Sequence, residues 1–247
     1  MLLAWNETGS RRSSRGTSAR MVVTLVNRVR TDARAKRARV FLEHFEIWRS
    51  TRILDLGSEN GEHIASVLAG TPISPSNVYI ADIDSSAVLD GHRRFGFEPV
   101  HIPESGRLPF DDGFFDIVYC SSVIEHVTVP KSEVWTLRDG AEFARRAWER
   151  QRAFAREIVR LGRGYFVQTP CRSFPIESHS WLPFVAYLPR PALIPLLETT
   201  NRLWVKKTQP DWRLLSEGDM RRLFPDAIIV KESLCGFTKS LMAIRAR

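Results

Sequence analysis

Arg52-Ile53-Leu54-Asp55-Leu56-Gly57-Ser58-Glu59-Asn60-Gly61 is the stretch that decides the fold. Ile53 to Leu56 read as a short buried parallel strand, three apolar residues and one acid. Gly57 to Gly61 then turn the chain sharply into a helix that begins near Glu62. A strand, a glycine turn and a helix present backbone N–H groups at a helix N-terminus, where α/β folds bind nucleotide-like ligands. Glu59 is the unusual letter. It puts a negative charge where a dinucleotide would bring its two phosphates, so a nicotinamide dinucleotide is disfavoured there.

Outward from this turn, strands and helices alternate. A helix is expected over 31–50, where Val40, Phe41, Phe45 and Trp48 recur at spacings of three and four. A helix over 61–70 is followed by a strand over 77–82, a helix over 84–95 and a short strand over 98–102. Residues 115–121 read as the fourth strand, 141–161 as a long amphipathic helix and 165–169 as the fifth strand, stopped by Pro170. A short helix over 216–224, with Glu217 and Asp219 in its first turn, suits the helix dipole. Two strands (227–233 and 238–245) end the chain. The alternation argues for a parallel, doubly wound α/β sheet.

The net charge of +8 is confined to one end. Residues 1–40 contain Arg11, Arg12, Arg15, Arg20, Arg28, Arg30, Arg34, Lys36, Arg37 and Arg39 against Glu7 and Asp32, so the remainder balances to zero. The body therefore offers no bulk charge argument for a nucleic-acid partner. Residues 1–30 read as a basic, disordered tail, and Met21 as an alternative start. Residues 31–247 read as one domain. Cys120, Cys171 and Cys235 are odd in number and widely spaced, which argues against a disulfide framework or zinc motif and for a reducing, cytoplasmic setting.

Asp82 ends the second strand, where α/β nucleotide folds place the acid that bonds ribose hydroxyls; the plain alternative is a helix cap or loop acid. Asp55 reads either as a buried structural acid of the turn or as one that also positions ligand. Further on, Leu108-Pro109-Phe110-Asp111-Asp112-Gly113-Phe114-Phe115-Asp116-Ile117-Val118 runs into Ser121-Ser122-Val123-Ile124-Glu125-His126. With the opening turn and Asp82, these segments resemble the class I S-adenosylmethionine-dependent methyltransferases, in particular their small-molecule branch. The resemblance covers about 40–170 and resumes at 214–245. It implies a Rossmann-like sheet of seven strands, mostly parallel with an antiparallel last strand, and S-adenosyl-L-methionine as cofactor. It assigns Gly57, Ser58 and Gly61 to the loop under the methionine part, beside Asp55. Asp82 is assigned to the ribose, Ile83 to the adenine face, Glu104 to the adenine amino group, and Ser121 and Ser122 to the methionine end. Glu59 departs from the pattern, which has a glycine there, and its side chain either crowds the cofactor or points outward. A sulfonium and an ammonium against one carboxylate tolerate a nearby acid better than phosphates do.

Methyl transfer needs positioned reactants and, for a hydroxyl acceptor, a proton acceptor near pH 7. His126 and His179 are the candidates, each with a structural histidine as the alternative; the resemblance implies no metal. Residues 170–212 form a Pro/aromatic insert expected to act as a substrate lid. Pro170, Pro175, Pro183, Pro189, Pro191 and Pro195 stiffen it, among Phe174, Trp181, Phe184 and Tyr187. The expected partner is a small-molecule acceptor: a sugar, a lipid-linked glycan or another secondary metabolite, with O-methylation favoured. Peripheral membrane contact through 181–197 or the basic tail is a further expectation. Two alternatives stay open: a binding protein of this fold with a weakened cofactor site, and a nucleic-acid methyltransferase that uses residues 1–40.

Overall fold

In the computed structural model the described residues are 31–204 and 206–246. The chain divides into two compact units, 1–40 and 41–247. The basic tail over 1–30 and the question of Met21 lie outside the described residues. Residues 31–40 of the first unit are helical, and this helix (α1, 31–44) runs on to residue 44. It was expected to reach Ser50. Instead the Thr51 hydroxyl accepts the Trp48 N–H at 2.9 Å in a turn, and Trp48 stands 63% exposed. The apolar stripe therefore ends at Phe45. Phe41 and Phe45 are buried, and the Phe41 ring meets Tyr119 and Phe166 edge-on at 5.1 and 5.5 Å.

The second unit is built on one seven-stranded sheet. Its strands are β1 (Ile53–Leu56), β2 (Val78–Asp82), β3 (Glu98–His101), β4 (Phe115–Ser121), β5 (Gly162–Pro170), β6 (Ile228–Leu234) and β7 (Phe237–Arg245). The spatial order is β3-β2-β1-β4-β5-β7-β6, with only β7 antiparallel to its neighbours. Chain order reverses between β1 and β4. Ligands of open α/β sheets bind at the carboxyl ends beside such a reversal. All four residues of β1 are buried, as a central parallel strand covered on both faces requires.

Helices α2 (Glu62–Val67), α3 (Ser85–Phe95) and α4 (Gly140–Leu161) cover the sheet. In α4 the buried positions Phe143, Ala147, Gln151, Ala155, Ile158 and Leu161 recur every three or four residues, one face of a helix. Each large side chain so buried contributes roughly 1.5–3 kcal/mol. The segment from Leu108 to Phe115 is chiefly structural. Phe110, Phe114 and Phe115 cluster with Tyr79 at centroid distances of 4.9–6.0 Å. Arg160 of α4 donates to the carbonyls of Leu108 and Phe110, and Glu157 accepts the Leu108 N–H.

The insert is more ordered than its prolines suggest. Helix α5 (Arg190–Leu203) lies within it, although Pro195 occupies its interior. Pro191 in the first turn favours that start, and Leu193, Ile194 and Leu197 turn inward. Leu193 and Leu197 share a small core with Val185, Trp212 and Leu214. Arg190 is buried and donates to the carbonyls of Leu137, Val134 and Pro210. The last short helix, α6 (Glu217–Leu223), opens with a reciprocal cap between Ser216 and Asp219. Among the described residues no helix is long and apolar enough to cross a membrane.

Candidate functional site

The turn after β1 is shaped by left-handed backbone. Gly57 and Gly61 have φ of 80° and 73°, and Glu59, which is not glycine, has 52°. A side chain at Gly57 would collide with Val123 at 2.5 Å, so the loop closes tightly against the segment after β4. Gly91 on α3 lies against the carbonyl of Asn60, where an added Cβ would meet the oxygen at 2.5 Å.

Asp82 locks this turn to β2. Its two carboxylate oxygens accept the N–H groups of Glu59 (2.9 Å) and Asp84 (3.0 Å). The Asp84 carboxylate then caps α3 through Ser86 and Ala87. Asp82 is half-buried, Glu59 is exposed, and Ile83 beside them is 62% exposed, an apolar face open at the carboxyl edge. Asp55 is buried under the same turn. Burial pushes its carboxyl up to about 7, the neighbouring Ser58 works against that, and the Asp82 charge adds to it. Glu104 sits on an exposed turn after β3.

Ser121 and Ser122, at the end of β4, both donate to Gln168 Oε1 at 2.8 and 3.0 Å. Gln168 is buried in β5, and its amide donates to Ser240 on β7. Ser122 adopts φ 59°, and its N–H bonds the Gln168 carbonyl.

A second polar centre follows β4. Ile124–His126 form one 3₁₀ turn, and His179 reaches it from the insert. The Nε2 atoms of His126 and His179 are 2.9 Å apart, with the rings edge to face. His126 Nδ1 contacts Asp211 at 3.2 Å; His179 Nδ1 contacts Glu177 at 2.6 Å. Glu125 is fully buried, accepts a hydrogen bond from Thr169 at 3.0 Å and turns its other oxygen to His179 at 3.8 Å. Burial alone would lower the His179 pKa, but the Glu125 and Glu177 carboxylates outweigh it and hold the ring up at about 9. Gln151 of α4 braces the turn, donating to the carbonyls of Ile124 and Arg213, while Thr128 bonds the Asp211 carbonyl.

The structure thus gathers Asp55, Gly57, Ser58, Glu59, Gly61, Asp82 and Ile83 around one turn. Ser121 and Ser122 lie across from it, and His126 joins His179. Glu104 shares no hydrogen bond with this turn among the described residues. Gln168, Asp211 and Gly91 escaped sequence reading. A glutamine in a strand, an acid after a proline and a mid-helix glycine carry no local signal of contacts 46, 85 and 31 residues away. A cavity of about 440 Å³ lined by His44, Trp48, Thr51 and Ile117 opens at the opposite, amino edge of the strands.

Residues 54–138 match the family model described as a methyltransferase domain. No curated protein matches the chain in sequence. Among solved structures, a candidate O-methyltransferase from Nostoc punctiforme PCC 73102 is similar at 12% identity and TM-score 0.53, covering 87% of this chain and 56% of that one. A candidate exported protein from Bordetella parapertussis is similar at 10% identity and TM-score 0.52, covering 87% and 68%. A chain of the complex between the Haloferax volcanii Trm112 methyltransferase activator and the candidate methyltransferase is similar at 11% identity and TM-score 0.50, covering 85% and 87%. At these identities the likeness is one of fold.

Proposed function

We propose that this chain is a class I S-adenosylmethionine-dependent methyltransferase that methylates a small-molecule acceptor, with a hydroxyl the favoured nucleophile; the match of residues 54–138 to a methyltransferase domain and the sheet order support the reading. The observation that carries the reading is the acid-lined glycine turn at the strand-order reversal: Asp55, Glu59 and Asp82 surround Gly57–Gly61. A ligand bearing a sulfonium and an ammonium against one carboxylate suits that donor set, and one bringing two phosphates does not. In this reading Gly57, Ser58 and Gly61 lie under the methionine part, with Asp55 buried beneath. Asp82 keeps lone pairs for the ribose hydroxyls, since each of its oxygens accepts one backbone N–H. The exposed face of Ile83 packs on the adenine, and Glu104 approaches the adenine amino group. Ser121 and Ser122, oriented by Gln168, line the methionine end. In this reading the exposed Glu59 side chain lies at the rim of the turn, where it faces the cofactor's cationic groups without filling their place.

S-adenosylmethionine supplies a methyl carbon already activated by its sulfonium. What the protein adds is alignment of the acceptor with that carbon. The acceptor oxygen forms the new bond to carbon, the C–S electron pair stays on sulfur, and the hydroxyl proton is lost toward His126 on the same sheet edge. The insert supports an acceptor with apolar surface, such as a lipid-linked glycan or a glycoside. Ile176, Phe184, Tyr187 and Leu188 stand exposed along it, and 181–197 could rest on a membrane surface while such a substrate is taken up.

Calorimetric titration with S-adenosylmethionine tests the reading. Saturable binding is expected, weakened about tenfold to a hundredfold in D82A by the loss of charged hydrogen bonds worth roughly 1.5–3 kcal/mol. No heat of binding up to millimolar ligand would sink it.

A further inference from the structure

The His126–His179 pair leaves electron pairs facing one another. An ionised carboxylate only accepts hydrogen bonds, so the Nδ1 atoms facing Asp211 and Glu177 are the donors. In neutral rings both Nε2 atoms are then bare acceptors confronting each other at 2.9 Å, a contact that only a proton on one of them or a cation between them makes favourable. Glu125 Oε1 joins them. Its side chain is fully buried, this oxygen has no hydrogen-bond partner among the described residues, and it lies 3.8 Å from His179 Nε2. Two nitrogens and one oxygen thus lie within 4.8 Å of one another. Such a cluster calls for positive charge at its centre, supplied by a proton on an Nε2 atom or by a metal ion.

We propose that Glu125 Oε1, His126 Nε2 and His179 Nε2 bind a divalent transition-metal ion of the zinc class. Two imidazole ligands on bonds of about 2.0–2.1 Å at a right angle stand about 3.0 Å apart, close to the separation found here. The 3.8 Å between Glu125 Oε1 and His179 Nε2 likewise falls inside the roughly 4.2 Å that two such bonds can span. Imidazoles select this class over magnesium or calcium, which take oxygen ligands. The surroundings are those of a metal site. Each ligating ring passes its other N–H to a carboxylate, Asp211 or Glu177, which fixes the tautomer and orients the ring. Glu177 is itself held by the N–H groups of His179 and Ser180. Three protein ligands leave a coordination position open, and the one-third exposure of the His126 side chain marks its solvent side. Since Glu125 and His126 follow β4 and His179 comes from the insert, the ion also fastens the insert to the sheet.

The inference rests on the methyl-transfer reading and changes one part of it: with the ion bound, His126 and His179 are its ligands rather than proton acceptors, and the cation anchors the acceptor oxygen and eases its proton loss. It is tested without any methyl donor. Full-length protein stripped with a chelator is titrated with zinc chloride by calorimetry, and a cobalt-loaded sample is examined by visible absorption. One ion per chain is expected, with cobalt bands typical of four or five ligands and a melting temperature raised by zinc. H179A and E125Q lose the uptake and the thermal shift. D211N, which removes only the carboxylate behind His126, weakens binding about tenfold to a hundredfold. H92A, on α3, leaves it unchanged. Should H179A fail to fold, E125Q keeps the side chain's shape and carries the test. Absence of zinc uptake, or uptake that survives H126A combined with H179A, overturns the inference and leaves a shared proton between the rings. Titrating the same samples with S-adenosylmethionine separates the two readings: donor binding without zinc sinks this one alone, and zinc without donor binding sinks only the other.

Discussion

Glu59 holds a left-handed backbone, φ 52°, in a turn where its neighbours Gly57 and Gly61 adopt the same hand. For a residue with a Cβ that conformation costs about 1–2 kcal/mol. E59G removes this strain and adds about 0.5–1 kcal/mol of unfolded-chain entropy, so a net gain of about 0–1.5 kcal/mol is expected from urea unfolding. A loss of stability would mean that the side chain makes a contact the turn depends on. Asp55 sets a pH dependence. Its folded pKa near 7 lies above the ordinary 3.8, so its contribution is most favourable below pH 3.8 and is lost as the pH rises to about 7. At about 1.4 kcal/mol per unit, the buried charge costs on the order of 4 kcal/mol above pH 7. D55N should therefore raise the urea midpoint more at pH 8 than at pH 4. An equal gain at both values would refute the burial argument. The sequence already marks Asp55, Asp82 and Glu59 as the acids of the turn. It does not show that Asp82 binds the Glu59 amide, because that contact spans 23 residues.

At the scale of elements, periodic stretches were legible and proline-rich ones were not. Helix α4 follows from apolar residues spaced by three and four, and it appears within one residue of its expected start. Helix α5 was missed, because Pro191 and Pro195 argue locally against a helix interior. Packing of Leu193, Ile194 and Leu197, together with Arg190, overrides that preference. Arg190 donates to three loop carbonyls and stacks 3.7 Å from the centroid of Phe143. R190M keeps the stem but orphans those carbonyls, and should cost about 3 kcal/mol in thermal or urea unfolding. Limited proteolysis should then cut first within 170–212. The segment from Leu108 to Phe115, the clearest family signal, works mainly by packing Tyr79 and anchoring α4. A structural role and diagnostic value are compatible, since a fold is recognised by what holds it together.

On the scale of the molecule, the basic excess and the candidate sites belong to different parts of the chain. Removing residues 1–30 takes away Arg11, Arg12, Arg15, Arg20, Arg28 and Arg30 against Glu7 alone. Retention on a polyanionic matrix should fall, while S-adenosylmethionine affinity stays unchanged by calorimetry. Lost donor affinity would tie the tail to the site. The alternation of strands and helices, the glycine turn and the acid ending β2 are local patterns, so the sequence alone determined a doubly wound sheet and the place of the glycine turn after β1. Period, turn chemistry and strand-end position are properties of neighbouring residues, and they survive in one dimension. The pairing of His126 with His179, the carboxylates of Asp211 and Glu177 behind them, and the bracing by Gln168 and Gln151 belong to tertiary structure alone. Apart from Glu177 with His179, these contacts join residues 27 to 85 positions apart, and only the pairing of β4 with β5, the packing of α4 and the position of the insert bring their polar atoms within bonding distance.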